Sequence, residues 1–88
     1  MVKTKHGDFD VRPITFGERR ELHRLEMYLY EGENINKEAY FNLLDWVMNK
    51  AFVDPEKSLE KLDDAAIDEV LNEIYIYYKE LSQKKISK

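Results

Sequence analysis

The side chains most often used for catalysis or metal binding are few in this sequence and lie far apart. Its two histidines, His6 and His23, lack the HxxxH or ExxH spacing that brings two ligands onto one helical turn. His23 falls on an apolar stripe of a predicted helix, which favours a packing role over a catalytic or ligand role. There is no cysteine, and Ser58 and Ser82 have no histidine partner at a catalytic spacing. We therefore expect no catalytic residues, no metal site and no cofactor.

Carboxylates are abundant, and Asp64 and Asp68 have the i, i+4 spacing that places two side chains on one helix face. Such a pair shares a proton or holds a cation only where burial or a nearby charge shifts a pKa. No apolar or basic residue beside this pair is placed to do so. A solvated helix face is the better interpretation.

The distribution of charge argues against nucleic-acid binding. The formal net charge is −4, and residues 31–80 carry thirteen acidic and five basic side chains. Affinity for a polyanion comes mainly from Lys and Arg that neutralise phosphates, so this acidic middle repels DNA and RNA. Arg19, Arg20 and Arg24 form the one basic cluster, and glutamates interleave with them as intrahelical ion-pair partners.

The remaining signal is an excess of aromatic side chains. A core of this size encloses only part of them, and Tyr and Trp at a surface favour protein interfaces. The residues concerned are Tyr28, Tyr30, Trp46, Tyr75, Tyr77 and Tyr78. As a set they predict a protein-binding surface, although for each one singly a half-buried ring with a solvated hydroxyl is the commoner outcome.

The N-terminal part of the chain predicts an extended segment followed by a helix. Within residues 1–14, Phe9 and Val11 alternate with charged side chains, and Pro13 ends the extended stretch. This pattern fits an arm or an edge strand. Thr15 and Glu18 have the spacing of a capping box, so the first helix is expected over about 16–30. This helix has two apolar stripes more than about 100° apart: Leu22, Leu25 and Leu29 on one, and Phe16, His23, Met27 and Tyr30 on the other.

Two further helices are predicted in the C-terminal part. The second covers about 37–52, between an Asn36 cap and the helix breaker Pro55. The third covers about 64–83 and follows an Asp63 cap. Its apolar stripe consists of Ile67, Val70, Leu71, Ile74, Tyr77, Tyr78 and Leu81.

Three helices with short connections should pack as a compact bundle. A short turn over 58–62 would join the last two helices. We therefore predict an all-α fold: a single domain over 1–88, built as a compact three-helix bundle with a short extended N-terminal segment.

Such a bundle leaves apolar residues without a partner. Ile76 lies about 180° from Ile67 on the third helix, and the second stripe of the first helix faces away from the other two. Either these side chains contact a partner protein, or the N-terminal segment covers the stripe through Phe9 and Val11. The candidate partner-binding residues are Phe16, His23, Met27, Tyr30, Trp46, Tyr75 and Ile76.

Composition also bears on the cellular compartment. No apolar run approaches the roughly 18 residues of a membrane span, and the first ten residues lack the apolar stretch of a secretory signal. The absence of cysteine agrees with a reducing compartment. We expect a cytoplasmic protein with no membrane partner.

Two stretches resemble small proteins of tailed bacteriophages. The run over 9–22, FDVRPITFGERREL, resembles the opening of tail assembly chaperones, where a short extended piece leads straight into an amphipathic helix. The run over 62–71, LDDAAIDEVL, resembles the start of a later helix in similar phage proteins. The positions that match at the strand-to-helix junction are Val11, Arg12, Pro13 and Thr15.

This resemblance implies a non-enzymatic, mainly helical protein that often self-associates. In that family it would keep a tail protein, in particular the tape measure, soluble in the host cytoplasm during assembly. We therefore expect a protein-binding assembly factor that shelters apolar segments of a viral structural protein and can form a homo-oligomer. Two alternatives stay open: a structural component of a phage tail or baseplate, and a small acidic regulator that masks a basic partner.

Overall fold

A computed structural model describes residues 2–86 of the chain, with side-chain surroundings for 2–80. The elements in this range are β1 (Val2–Thr4), β2 (Gly7–Phe9), α1 (Phe16–Met27), β3 (Tyr30–Glu31), β4 (Asn34–Ile35), α2 (Lys37–Ala51), α3 (Pro55–Ser58) and α4 (Asp64–Ile86). Helices make up 61% of the chain, and the four strands form two small antiparallel hairpins. The predicted all-α three-helix bundle is therefore wrong, because the fold is mixed and has a fourth, short helix.

The first hairpin replaces the single extended arm that the sequence predicted. Val2 pairs with Phe9, and Thr4 pairs with Gly7. The Thr4 hydroxyl accepts from the backbone N–H of His6 at 3.1 Å and donates to the carbonyl of Gly7 at 2.8 Å. Gly7 adopts φ +121°, a conformation rarely open to residues with a side chain. The local turn thus supplies a partner strand from within the arm itself.

Helix α1 begins where the capping box predicts. The Thr15 hydroxyl accepts from the N–H of Glu18 at 3.2 Å, and the Glu18 carboxylate accepts from the N–H of Thr15 at 2.9 Å. The helix was predicted to continue to about residue 30 but ends at Met27, because the chain leaves the helix to form the second hairpin, which begins at Tyr30. Gly32, at φ +63°, makes the turn between β3 and β4 possible.

The predicted caps of the remaining long helices are confirmed. The Asn36 side chain accepts from the N–H of Ala39 at 3.0 Å at the start of α2, and the Asp63 side chain accepts from the N–H of Ala66 at 2.8 Å before α4. Between them, Pro55 stands in the first turn of α3. Since Pro lacks an N–H and has a helical φ, it ends one helix and starts the next. The turn predicted over 58–62 follows α3: residues 59–61 form a turn, and the N–H of Leu62 donates to the carbonyl of Leu59 at 3.1 Å. The short helix α3 itself was not predicted.

One apolar core joins α1, α2 and α4 to the first hairpin. From α4 the predicted stripe contributes Val70, Leu71, Ile74 and Tyr78, all buried, whereas Leu81 lies outside the described side chains. The full set of buried side chains is Val2, Leu22, Leu29, Leu43, Leu44, Val47, Ala51, Phe52, Leu59, Ala66, Val70, Leu71, Ile74, Tyr75 and Tyr78.

The first hairpin and the segment after it pack on α4 and on the end of α2. The backbone N–H of Arg12 donates to the carbonyl of Ala51 at 2.9 Å, and the Phe9 ring meets the Phe52 ring edge-on with centroids 6.2 Å apart. At the hairpin turn, the N–H of Lys5 donates to the carboxylate of Glu73 at 3.3 Å. The outer face of α4 is therefore partly covered, and the second stripe of α1 is not.

Candidate protein-binding surface

The second stripe of α1 is open to solvent. Phe16 is 71% exposed and Met27 is 73% exposed, and both Tyr30 and His23 are also exposed. The alternative in which Phe9 and Val11 cover this stripe is wrong, because those two residues pack against the core instead. Four of the seven candidate residues are thus available to a partner.

The other three candidates have different surroundings. Trp46 is half-buried, and its indole N–H donates to the Glu21 carboxylate at 3.0 Å, which joins α2 to α1. Tyr75 is buried within the chain. Ile76 is 43% exposed and borders a hollow that it shares with Val2 of β1. These residues do not form one surface with the stripe of α1, and Tyr75 offers no surface at all.

Tyr75 instead helps to fix the end of α1 against α4. Burial raises the pKa of its hydroxyl, and the neighbouring Glu26 carboxylate raises that pKa further. Lys79 forms an ion pair with Glu26 at 3.6 Å, and its ammonium lies 5.8 Å from the centre of the Tyr75 ring. The last turn of α1, from which the second hairpin starts, is therefore held on α4.

Four exposed apolar side chains follow directly from that point, and we call them the hairpin surface: Met27, Tyr28, Tyr30 and Ile35. Each is between 56% and 73% exposed, although they lie within nine residues of chain. Tyr30 and Ile35 are direct partners across β3 and β4, so their side chains lie on the same face of the hairpin. Sequence reasoning included Tyr30 and Met27 but missed Ile35. Two apolar residues placed symmetrically about a Gly-containing turn were the signal.

The backbone that carries the hairpin surface is fixed by a buried residue and by hydrogen bonds. Leu29, between Tyr28 and Tyr30, is buried, and its carbonyl accepts from the N–H of Asn36 at 2.7 Å. The Asn36 side-chain amide also donates to the Glu31 carboxylate at 2.7 Å. Since the backbone under the exposed side chains is fixed by these bonds, binding a partner would cost little further ordering.

A second concave region lies between α2, α3 and the start of α4, and we call it the α3 groove. Its volume is about 640 Å³. It is lined by Met48, Asn49, Asp54, Pro55, Glu56, Leu59, Glu60, Leu62 and Ile67. Sequence reasoning missed this groove, since a helix of only four residues was needed to form its wall. The Asp54-Pro55 pair, a cap followed by a proline at the first helical position, was the available signal.

Groups capable of acid–base chemistry are scattered. His6 lies in the turn of the first hairpin, with its imidazole 3.7 Å from the Glu69 carboxylate, whereas His23 is exposed on α1. Within residues 2–80, no group of three or more His, Asp or Glu side chains is arranged to hold a metal ion.

None of the helices in the described range is long and apolar enough to cross a membrane. No family model, curated protein or solved structure matches this chain.

Proposed function

We propose that this chain is a non-enzymatic, protein-binding assembly factor that docks its partner on the hairpin surface. The observation that supports this proposal is the exposure of Met27, Tyr28, Tyr30 and Ile35 within nine residues of chain. A single exposed apolar residue is ordinary in a globular protein. Four within one short stretch of chain form a patch of the kind that marks an interaction site.

The composition of the patch also suits a protein interface. Tyrosine and methionine are enriched in interface cores, and tyrosine gives a large contact area at a low cost in conformational entropy. Charged residues surround the patch: Glu31 and Glu33 in the hairpin are exposed, and so is Lys37 at the start of α2. An apolar centre with a charged rim is the usual arrangement of a protein-binding site.

The resemblance of residues 9–22 to tail assembly chaperones suggests the class of partner. Under this proposal the partner is an apolar segment of a viral tail protein, which the chain keeps soluble in the host cytoplasm. Self-association through the same patch would shelter it when no partner is present.

A small acidic regulator is the second candidate function, because residues 31–80 carry thirteen acidic side chains against five basic ones. A basic surface on a target protein would then replace the tail protein as partner. Binding to a basic protein that persists in a Met27→Lys/Tyr30→Lys variant would favour this second candidate.

Co-expression with a segment of a phage tape measure protein tests the leading proposal. Wild-type chain should keep the segment in the soluble fraction, and the Met27→Lys/Tyr30→Lys variant should not. Asn42→Lys/Asp45→Asn is the matched control, because it changes the net charge by the same amount at two exposed polar positions of α2. Equal recovery of the segment with all three chains, or with none, would contradict the proposal. Finding the chain in purified particles would indicate a structural component instead.

A further inference from the structure

The α3 groove combines an apolar floor with a negatively charged edge. Met48 from α2 and Ile67 from α4 are half-buried and face Leu59 and Leu62 from the connection between α3 and α4. Met48, Leu62 and Ile67 leave part of their apolar surface accessible to a ligand, although they pack against the core, whereas Leu59 is buried. Covering that surface would be favourable because it removes apolar area from water.

The edge of the groove carries three exposed carboxylates. They belong to Asp54, Glu56 and Glu60, which surround the short helix α3 on its groove side. Lys57 and Lys61 lie on the same stretch of chain but do not line the groove. A ligand that enters the groove therefore passes carboxylates first and meets apolar side chains below them.

We propose that the α3 groove binds a segment of a partner protein in which apolar side chains are flanked by lysine or arginine. Apolar anchors fill the floor, and the flanking cations lie beside Asp54, Glu56 and Glu60. This arrangement is complementary in charge and in polarity, which determines which partner is accepted more than how tightly it binds. The groove is separate from the hairpin surface, so the inference stands without the function proposed above.

A peptide segment fits this groove better than a small molecule does. Sites for small molecules bury most of the ligand surface. Four of the nine lining residues here are exposed, namely Asn49, Asp54, Glu56 and Glu60, so a small ligand would stay largely in water. A chain segment can fill the floor with side chains while its backbone lies along the open edge. Anchoring an amphipathic helix in an apolar groove is a common mode of peptide recognition.

The test uses the full chain and a labelled helical peptide of about 16 residues made of Leu and Lys. Two further peptides are controls: one has Glu in place of Lys, and one has Ser in place of Leu. Selective labelling of methionine methyl groups locates the site, because Met48 lies in the groove and Met27 lies on the hairpin surface. We expect the Leu–Lys peptide to shift the Met48 resonance and leave the Met27 resonance in place.

Neutralising the rim supplies the matched pair of variants. Glu56→Gln/Glu60→Gln should weaken binding of the Leu–Lys peptide about tenfold at low salt, since two cation contacts are lost. Glu33→Gln/Glu38→Gln changes the net charge equally at exposed positions away from the groove and should stay within about twofold of wild type.

Several outcomes would overturn the inference. Binding that moves Met27 but not Met48 would place the peptide on the hairpin surface. Equal affinity for the Lys and Glu peptides, equal weakening by both pairs of variants, or no binding by any peptide would each remove the groove as a site for basic segments. A Met48 shift that depends on protein concentration without peptide would assign the groove to a second copy of the chain.

Discussion

The hydroxyl of Tyr78 on α4 donates a 2.6 Å hydrogen bond to the backbone carbonyl of Arg12, which lies 66 residues earlier in the chain. The N–H of the same residue, Arg12, donates to the carbonyl of Ala51 at the end of α2. The backbone of this one residue is thus held by two helices, α2 and α4. The bond to Tyr78 fixes the path of the N-terminal segment across the core.

Removing that hydroxyl should destabilise the protein measurably. Tyr78→Phe leaves the Arg12 carbonyl without its buried donor, so we expect a loss of about 1–2 kcal/mol in the free energy of unfolding. Tyr77→Phe is the control, because no hydrogen bond from the Tyr77 hydroxyl is found within residues 2–80. Urea unfolding followed by the fluorescence of Trp46 measures both variants. A Tyr78→Phe protein as stable as wild type would show that the bond contributes nothing.

Alkaline pH should reduce the same contribution. Burial raises the pKa of the Tyr78 hydroxyl to about 12, whereas an unfolded chain titrates this group near 10. The stabilisation is complete below pH 10 and is lost as the pH rises towards 12, because only the unfolded state gives up the proton in between. The stability gap between wild type and Tyr78→Phe should therefore narrow from pH 9.5 to about 12. If unfolding curves show the same difference in stability between wild type and Tyr78→Phe from pH 9.5 to about 12, the raised pKa of Tyr78 is contradicted.

The cap of α1 can be tested by itself. Thr15→Ala removes the acceptor of the Glu18 N–H and should cost about 1 kcal/mol, whereas Thr15→Ser keeps the hydroxyl and should cost much less. Thermal melting followed by circular dichroism measures the three proteins. If alanine and serine lower the melting temperature equally, the lost methyl group rather than the cap is responsible.

The other half of the capping box predicts a dependence on acid. The pKa of the Glu18 carboxyl lies below its usual value, mainly because the backbone N–H of Thr15 donates to it, and Lys50 lowers that pKa further. A carboxylate of this kind stabilises the fold above its unfolded pKa of about 4.5, and the stabilisation is lost as the pH falls through the folded pKa. The stability of wild type relative to Glu18→Gln should be greatest near neutral pH and shrink towards pH 3. If the difference in stability between wild type and Glu18→Gln stays constant between neutral pH and about pH 3, the pKa of Glu18 is not lowered by folding.

Shortening a side chain to alanine should reduce the stability on one stripe of α1 and leave it nearly unchanged on the other. Leu22 is buried, so Leu22→Ala should cost about 2–5 kcal/mol. Met27 is 73% exposed, so Met27→Ala should change the stability by less than about 0.5 kcal/mol. Chemical unfolding of both variants decides whether the first hairpin leaves this stripe free. A large loss for Met27→Ala would mean that part of the chain covers Met27 in solution.

Local sequence signals predicted the three long helices of this fold but not its two hairpins. Thr15, Asn36 and Asp63 cap their helices as expected, because a capping side chain acts within three residues of its own position. The hairpins were missed, because each depends on a glycine with positive φ, Gly7 in one and Gly32 in the other. A glycine permits such a conformation without requiring it.

The surfaces were predictable only in part. The helical wheel separated Leu22 from Met27 on α1, and burial follows that division. Tyr75 was misplaced, because its burial depends on Glu26 and Lys79 meeting across two elements. The α3 groove was not predicted either, since it depends on how α3 lies between α2 and α4.

The hydrogen bond between Tyr78 and Arg12 can form only after α4 has been synthesised, long after the first hairpin. Arg12 leaves the ribosome long before α4 exists, so the first hairpin and the segment after it cannot complete their docking until α4 has been synthesised. Contacts of such long sequence separation form late in folding. Tyr78→Phe should therefore speed unfolding and leave the refolding rate nearly unchanged, and an equal effect on both rates in stopped-flow experiments would contradict this order. Until that last helix emerges, the apolar side chains of Val2 and Phe9 remain open to chaperones on the nascent chain.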